Sequence, residues 1–334
     1  KLSLSTPVDE SKLKPYTGCI VTIFEENGTS ETLKEVKPGV YKTSENGIRG
    51  KVGYSYSIDI QTPEGETYIS EYSELKPPIE IEDISYKLES IDQGNEEEDI
   101  EGYQFYITTK KFDNPETYIL WVLEETYEYA ADYWYYGYME DGDVYEIEDM
   151  AKYKKCWKTQ NVKEIFTTKT EDLESQNVTN HPLHFVSNQT KRLQYKYSLL
   201  VKQYTIDQAT YLYWEKLKKQ IAEDDILSID QPYQIEGNVY NIESSQHPAL
   251  GYFNVATVNK KRIFAEYNDV LDRNKCLIDY EWDTAETRRG SYYNIFYLAF
   301  SPRGIGLVSR KCIDCRREGG VLEPPAYWYD NKQH

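Results

Sequence analysis

The sequence predicts a mainly β, α+β chain: an N-terminal immunoglobulin/transthyretin-like antiparallel sandwich, then a larger β-rich region with one prominent helix. Three observations predict it. Short alternating runs separated by turn residues recur through the first 76 positions. Tyrosine, which favours strands, occurs 33 times. One stretch stands out with apolar residues at helical spacing.

In order along the chain, alternation over Cys19–Phe24 puts Cys19, Val21 and Ile23 on one face, and Glu26-Asn27-Gly28 supplies a tight hairpin turn. Gly39–Tyr41, Tyr54–Ile60, the Pro63-Glu-Gly65 turn and Glu66–Tyr68 continue the pattern. Pro77-Pro78 is a stiff break that closes a first domain over 1–76. A second sandwich-like domain spans 80–204. Its strands are expected at Ile81–Leu88, Tyr103–Thr109, Tyr118–Glu125, around Glu164–Thr168 and at Leu193–Tyr204. The acidic stretch Asp92–Glu101 reads as a solvated hairpin tip.

Thr205 with Gln208 three residues on forms a capping box, and Ile206, Thr210, Tyr213, Leu217 and Ile221 recur at helical spacing. A helix over 205–223 follows. Strands are expected at Tyr233–Ile242, Gly251–Val258 and Arg262–Tyr267. The region 205–334 is expected to pack on the second domain.

The charge is acidic: 38 Lys and Arg against 57 Asp and Glu give −19, a field that repels nucleic acid and anionic lipid heads. No apolar run approaches the ~20 residues that span a bilayer. Four histidines leave few candidates for a metal or acid–base site. His181-Pro-Leu-His184 reads as exposed loop, and His247 precedes Pro248 in a turn. No G-x-S-x-G, H-E-x-x-H or Gly-rich phosphate loop occurs. Glu124 and Glu125 point to opposite strand faces and cannot act jointly. The acidic groups Glu96–Asp99 and Glu140–Asp143 with Glu146 do not follow the calcium-loop pattern and read as solvated loops. No catalytic residue, metal ligand or cofactor is assigned.

Of five cysteines, Cys312-x-x-Cys315 has the spacing of a redox dithiol or half a zinc site. Arg316–Gly320 leads into a Gly/Pro loop rather than a helix, and no second ligand pair exists. Cys156, Cys276, Cys312 and Cys315 therefore read as two structural disulfides in an exported chain, with Cys19 the odd, buried thiol. Spacing leaves the pairing open. The aromatic run Tyr127–Tyr138 is unusual because both strand faces are aromatic over Tyr133, Trp134, Tyr135 and Tyr136. Such a run is either a strand packed between core and loop, or a partner-binding segment built on interface anchors.

Several stretches resemble a known family: Cys156-Trp157, Tyr197–Thr205 with the Tyr- and Trp-bearing helix after it, Gln231–Asn238, Leu250–Phe253 before Lys261-Arg262, and Cys312–Cys315 with Glu318–Gly320 and Pro324–Trp328. Gly39–Tyr41, Gly53-Tyr54, Gly65 and Tyr68 fit its opening sandwich. The chain is similar to Bacteroidota surface lipoproteins that carry a domain of unknown function and are usually encoded beside SusC-type TonB-dependent transporters. The resemblance implies a lipidated cysteine and a first strand ahead of Lys1. It brings no catalytic residues. In that context Asp283-Thr284-Ala285 resembles an O-glycan attachment sequence, with Thr284 the acceptor.

The resulting expectation is a non-enzymatic, lipid-anchored accessory on the extracellular face of the outer membrane. It would dock on a β-barrel transporter, covering the barrel or capturing cargo. The alternatives are a fixed subunit of a larger outer-membrane assembly or secretion machine, and a surface hydrolase acting on glycans or peptides. A flat aromatic patch favours docking; a cleft with convergent carboxylates favours the hydrolase.

Overall fold

The computed structural model describes residues 1–4, 14–92, 94, 99–112, 116–140, 143–170, 177–224, 235, 237–244, 247–266, 276–280 and 296–329. It is mostly antiparallel β with one α-helix, as the alternation and turn spacing predict.

The N-terminal module contains β1 (Ser3–Leu4), β2 (Lys14–Pro15), β3 (Ile20–Glu25), β4 (Ser30–Thr32), β5 (Lys34–Lys37), β6 (Val40–Lys42), β7 (Ser55–Gln61), β8 (Thr67–Ser70) and β9 (Ser73–Glu74). Gly28 takes the left-handed turn position that joins β3 to β4, and Gly65 the one that joins β7 to β8. β3 pairs with β7 so that Val21 faces Ile60. Cys19, Val21 and Ile60 form a small core that Leu2, Tyr16, Leu33 and Tyr41 cover.

The main body contains β10 (Ile81–Ile91), β11 (Ile100–Thr109), β12 (Tyr118–Ala130), β13 (Trp134–Glu140), β14 (Asp143–Glu146), β15 (Lys155–Asn161), β16 (Phe166–Lys169), β17 (His181–Ser187), β18 (Lys196–Ile206), helix α1 (Gln208–Asp224), β20 (Thr257–Glu266), β21 (Phe296–Ser301) and β22 (Gly304–Val308); β19 (Val239–Asn241), between α1 and β20, joins the N-terminal sheet instead. A sheet ordered β10-β11-β17 packs on one ordered β15-β12-β18-β20, with β16 also on β12. β12 is buried on both faces, which explains its unbroken apolar run. Ile119, Trp121, Leu123, Tyr127 and Tyr129 enter the sandwich core, while Tyr118 and Leu120 meet Tyr211 and Trp214 of α1.

Four expectations are corrected. Thr205 does not cap the helix. It pairs within β18 on both sides, and its hydroxyl accepts the Ile79 amide at 3.3 Å, so α1 starts at Gln208 with Asp207 as cap. Residues 251–256 are not a strand; among the described residues none ladders with them, and Asn238 holds Phe253 through its side-chain amide instead. In the stretch expected as a strand over Tyr233–Ile242, β19 covers only Val239–Asn241, and Tyr233 lies outside the described residues. His181-Pro-Leu-His184 is not an exposed loop but part of β17. Pro182 is tolerated there because β17 is the last strand of its sheet, and His184 points inward.

The modules are interlocked. β19 returns from beyond α1 to pair with β8. Ile79, just after Pro77-Pro78, receives Gln203 on its carbonyl, and Gln203 also accepts the Trp121 indole N–H.

The four cysteines form two bridges as expected, and the structure gives the pairing that spacing left open: Cys156–Cys315 and Cys276–Cys312, with Cys19 buried and unpaired. No helix among the described residues is long and apolar enough to cross a membrane. Asp283-Thr284-Ala285, Glu96–Glu98 and Asp141-Gly142 lie outside the described residues.

Candidate functional site

The aromatic run divides: Tyr127 and Tyr129 belong to β12 and its core, Tyr133 lies just before β13, and Trp134 to Tyr138 fall in β13, an inner strand of a sheet ordered β14-β13-β21-β22. Its residues separate by face. Trp134 pairs in register with Phe300 of β21, and the two are 42 % and 45 % exposed. Tyr135 faces the other way into a satellite core with Ala299 and Ile313, its ring near Tyr153 and Tyr297. Burial pushes its hydroxyl pKa up. Tyr136 donates its hydroxyl to Glu146, which raises the phenol pKa. A register shift between Tyr135 and Gly137 marks a bulge that re-aims the strand. A Cβ at Gly137 would stand 2.3 Å from the Tyr145 carbonyl, so the close approach of β14 requires glycine.

Tyr133 serves as a brace. Its amide donates to the Cys312 carbonyl at 3.0 Å and its hydroxyl to the Cys276 carbonyl at 2.7 Å, so it grips both halves of one disulfide. Asp132 accepts the Cys276 amide at 2.9 Å and pairs with Lys191 at 2.9 Å. Of the four residues singled out from sequence, Trp134 therefore presents most surface, Tyr136 less, and Tyr133 and Tyr135 hold the frame. Phe300 was missed. It lies far along the chain from Trp134, and no local signal connects them.

A second cluster lies inside the sandwich. Glu125 and His184 are 2 % and 3 % exposed. Tyr197 donates its hydroxyl to Glu125 at 2.8 Å, Gln160 donates its amide at 2.6 Å and Arg192 a guanidinium N–H at 3.5 Å. Burial, then the Glu125 charge, pushes the Tyr197 phenol pKa well up. His184 Nε2 is 4.0 Å from Glu125 and Nδ1 is 3.5 Å from Glu164. The contact with His184 holds the Glu164 carboxyl pKa below its ordinary value. These groups tie β12, β15, β17 and β18 together in the interior, where no substrate can reach Glu125. Glu124 points to the opposite face, toward Lys202 and Arg262.

Asp132, Cys276 and Cys312 bring a carboxylate and two sulfurs within ligand distance of one another. The sulfurs are joined as a disulfide, so neither is a thiolate able to ligate.

A family model described as "Domain of unknown function (DUF4249)" matches residues 1–262. The chain belongs to the DUF4249 family. The matched part of this DUF4249 chain holds the N-terminal module, β13, β14 and α1, and it ends inside β20. Phe300, three of the four bridged cysteines and the strands β21 and β22 lie beyond it. No curated protein and no solved structure matches the chain.

Proposed function

We propose that the protein is a non-enzymatic, lipid-anchored accessory on the outer face of an outer membrane, where it docks on a β-barrel transporter of the SusC-like, TonB-dependent kind. The observation that carries the docking role is the cross-strand pair Trp134 and Phe300, two large exposed aromatics on a sheet braced by a disulfide and Tyr133. Aromatic anchors of this kind dominate binding energy, and a rigid platform loses little entropy on association. The resemblance of the motifs to Bacteroidota lipoproteins supports the membrane setting, and two disulfides suit an oxidising compartment.

The test is pulldown of the native complex with Trp134→Ala/Phe300→Ala, paired with a thermal melt. Loss of the barrel protein at near-normal melting temperature is the expected result. Normal recovery of the barrel, or no barrel protein with the unaltered chain, sinks the reading.

A further inference from the structure

The net charge of −19 conceals a local inversion. Residues 151–158 carry Lys152, Lys154, Lys155 and Lys158 and no acid. Residues 310–317 carry Arg310, Lys311, Arg316 and Arg317 against the single acid Asp314. The Cys156–Cys315 disulfide fastens these stretches together, with Cα atoms 5.7 Å apart. The Cys315 amide donates to the Tyr153 carbonyl at 3.1 Å, and the Arg316 guanidinium lies 3.8 Å from the Tyr153 ring centre.

Most of this charge is not neutralised. Asp314, buried at 2 % exposure, is shared by Arg316 at 2.8 Å, Arg310 at 3.6 Å and Arg317 at 3.8 Å. Three guanidinium charges thus meet one carboxylate. Lys155 is taken by Glu128 at 2.6 Å, Lys154 by backbone carbonyls, and Glu318 is taken by Lys191. Lys152, Lys158 and Lys311 have no carboxylate partner among the described residues, and Lys152, Lys311, Arg316 and Arg317 are exposed.

We propose that this knuckle is an oxyanion-binding face whose ligands are the phosphates of anionic lipid headgroups. Guanidinium forks and lysine ammoniums are the groups that bind phosphate. Cations also lie over the rings of Tyr153 and Tyr195 here, with Lys152 at 5.4 Å and Lys155 at 5.3 Å. Aromatic rings beside lysine and arginine are the combination that settles at a headgroup layer. The chain-wide charge predicts repulsion from such a surface, but screening over roughly 8–10 Å means that a bilayer reads the face it touches. The knuckle would thus orient the body on a membrane. It uses other residues than the docking pair, so vesicle binding and the pulldown can fail independently.

The test is co-sedimentation of the whole chain with vesicles of phosphatidylcholine alone or mixed with phosphatidylglycerol, at low and high salt. Retention on the mixed vesicles at low salt, and not on phosphatidylcholine, is expected. Lys152→Glu/Lys158→Glu/Lys311→Glu should weaken it by on the order of a hundredfold. Lys34→Glu/Lys37→Glu/Lys42→Glu, an equal charge change on β5 and β6, should leave it close to normal, and melts on both variants confirm folding. Equal retention on the two vesicles, no retention on either, or equal loss in the two variants overturns the proposal. Saturable binding of inorganic phosphate without vesicle binding overturns it as well.

Discussion

Asp207 closes α1 with one carboxylate oxygen and holds Ser73 with the other. Oδ1 accepts the Thr210 amide at 2.8 Å, and Oδ2 accepts the Ser73 hydroxyl at 2.9 Å. Ser73 Oγ in turn accepts the Val255 amide at 3.3 Å. Asp207 and Ser73 together therefore join the start of the helix, the N-terminal sheet and the segment that leads into β20.

Asp207→Ala should destabilise the chain by about 1–2 kcal/mol for the lost cap, and by roughly 1 kcal/mol more for the orphaned Ser73 hydroxyl. Ser73→Ala keeps the cap but loses both its bond to Asp207 and the acceptor of the Val255 amide, and should cost about 1–2 kcal/mol. Urea unfolding of both single variants and the double variant measures the coupling. Strict additivity would mean that the two residues do not share a bond.

The disulfides predict a specific thiol pattern. Intact protein should show no reactive thiol until it unfolds, because Cys19 is buried and burial raises its pKa. Cys156→Ala/Cys315→Ala should cost about 2–5 kcal/mol. Alkylation with and without denaturant, read by mass, checks the pattern. Labelling of Cys19 in the native protein would contradict it.

Local signals made much of this fold legible. Asn27-Gly28 and Pro63–Gly65 announce hairpins because only a few residues accept those backbone angles, and the alternation at Cys19–Ile23 records a one-sided burial. What escaped depends on distant partners. Thr205 looks like a cap in isolation, but two flanking strands hold it extended. His184 looks exposed beside Pro182 until β12 and its Glu125 are placed beneath it. The aromatic site was half legible: composition flagged residues 133–136, but the bulge and the pairing with Phe300 decide which ring faces out.

Glu125 should behave as a buried acceptor with assigned partners. Glu125→Ala removes the acceptor of the Tyr197 hydroxyl, the Gln160 amide and one Arg192 N–H, and should cost about 3–5 kcal/mol, the range for breaking a buried pair. Glu125→Gln keeps an acceptor for Tyr197 and should cost less. Chemical denaturation of the two variants gives the order, and a reversed order would mean that the bond to Tyr197 does not stabilise the fold.

Trp328 pins the C-terminal segment across the outer face of the β12 sheet. It is fully buried, its indole N–H donates to Glu128 at 3.3 Å and its carbonyl accepts Lys196 at 3.0 Å. Tyr327 beside it lies under the Arg262 guanidinium, 3.7 Å from the ring centre. Trp328→Ala should cost about 3–5 kcal/mol. Protease cleavage should then move to the segment after Glu323, whereas an unchanged cleavage pattern would show that the segment does not depend on this anchor.

Asp314 predicts an acid-sensitive knuckle. Burial raises its carboxyl pKa, but the Arg316 hydrogen bond and charge, the Arg316 backbone amide and the Arg310 charge outweigh that, leaving it below the ordinary value. A carboxylate with a depressed folded pKa adds stability that is fully present above its unfolded pKa of about 3.9 and is lost as pH falls through the folded value. Asp314→Asn leaves three guanidinium groups around a neutral side chain at every pH, so it lacks that contribution throughout. At pH 7 the variant should melt below the wild type. As the pH is lowered past about 4, the wild type should lose stability faster and the gap should close. Melting curves of the two proteins across this window decide the matter: a constant gap would mean that ionisation of Asp314 does not stabilise the fold, and a widening one that its pKa is raised.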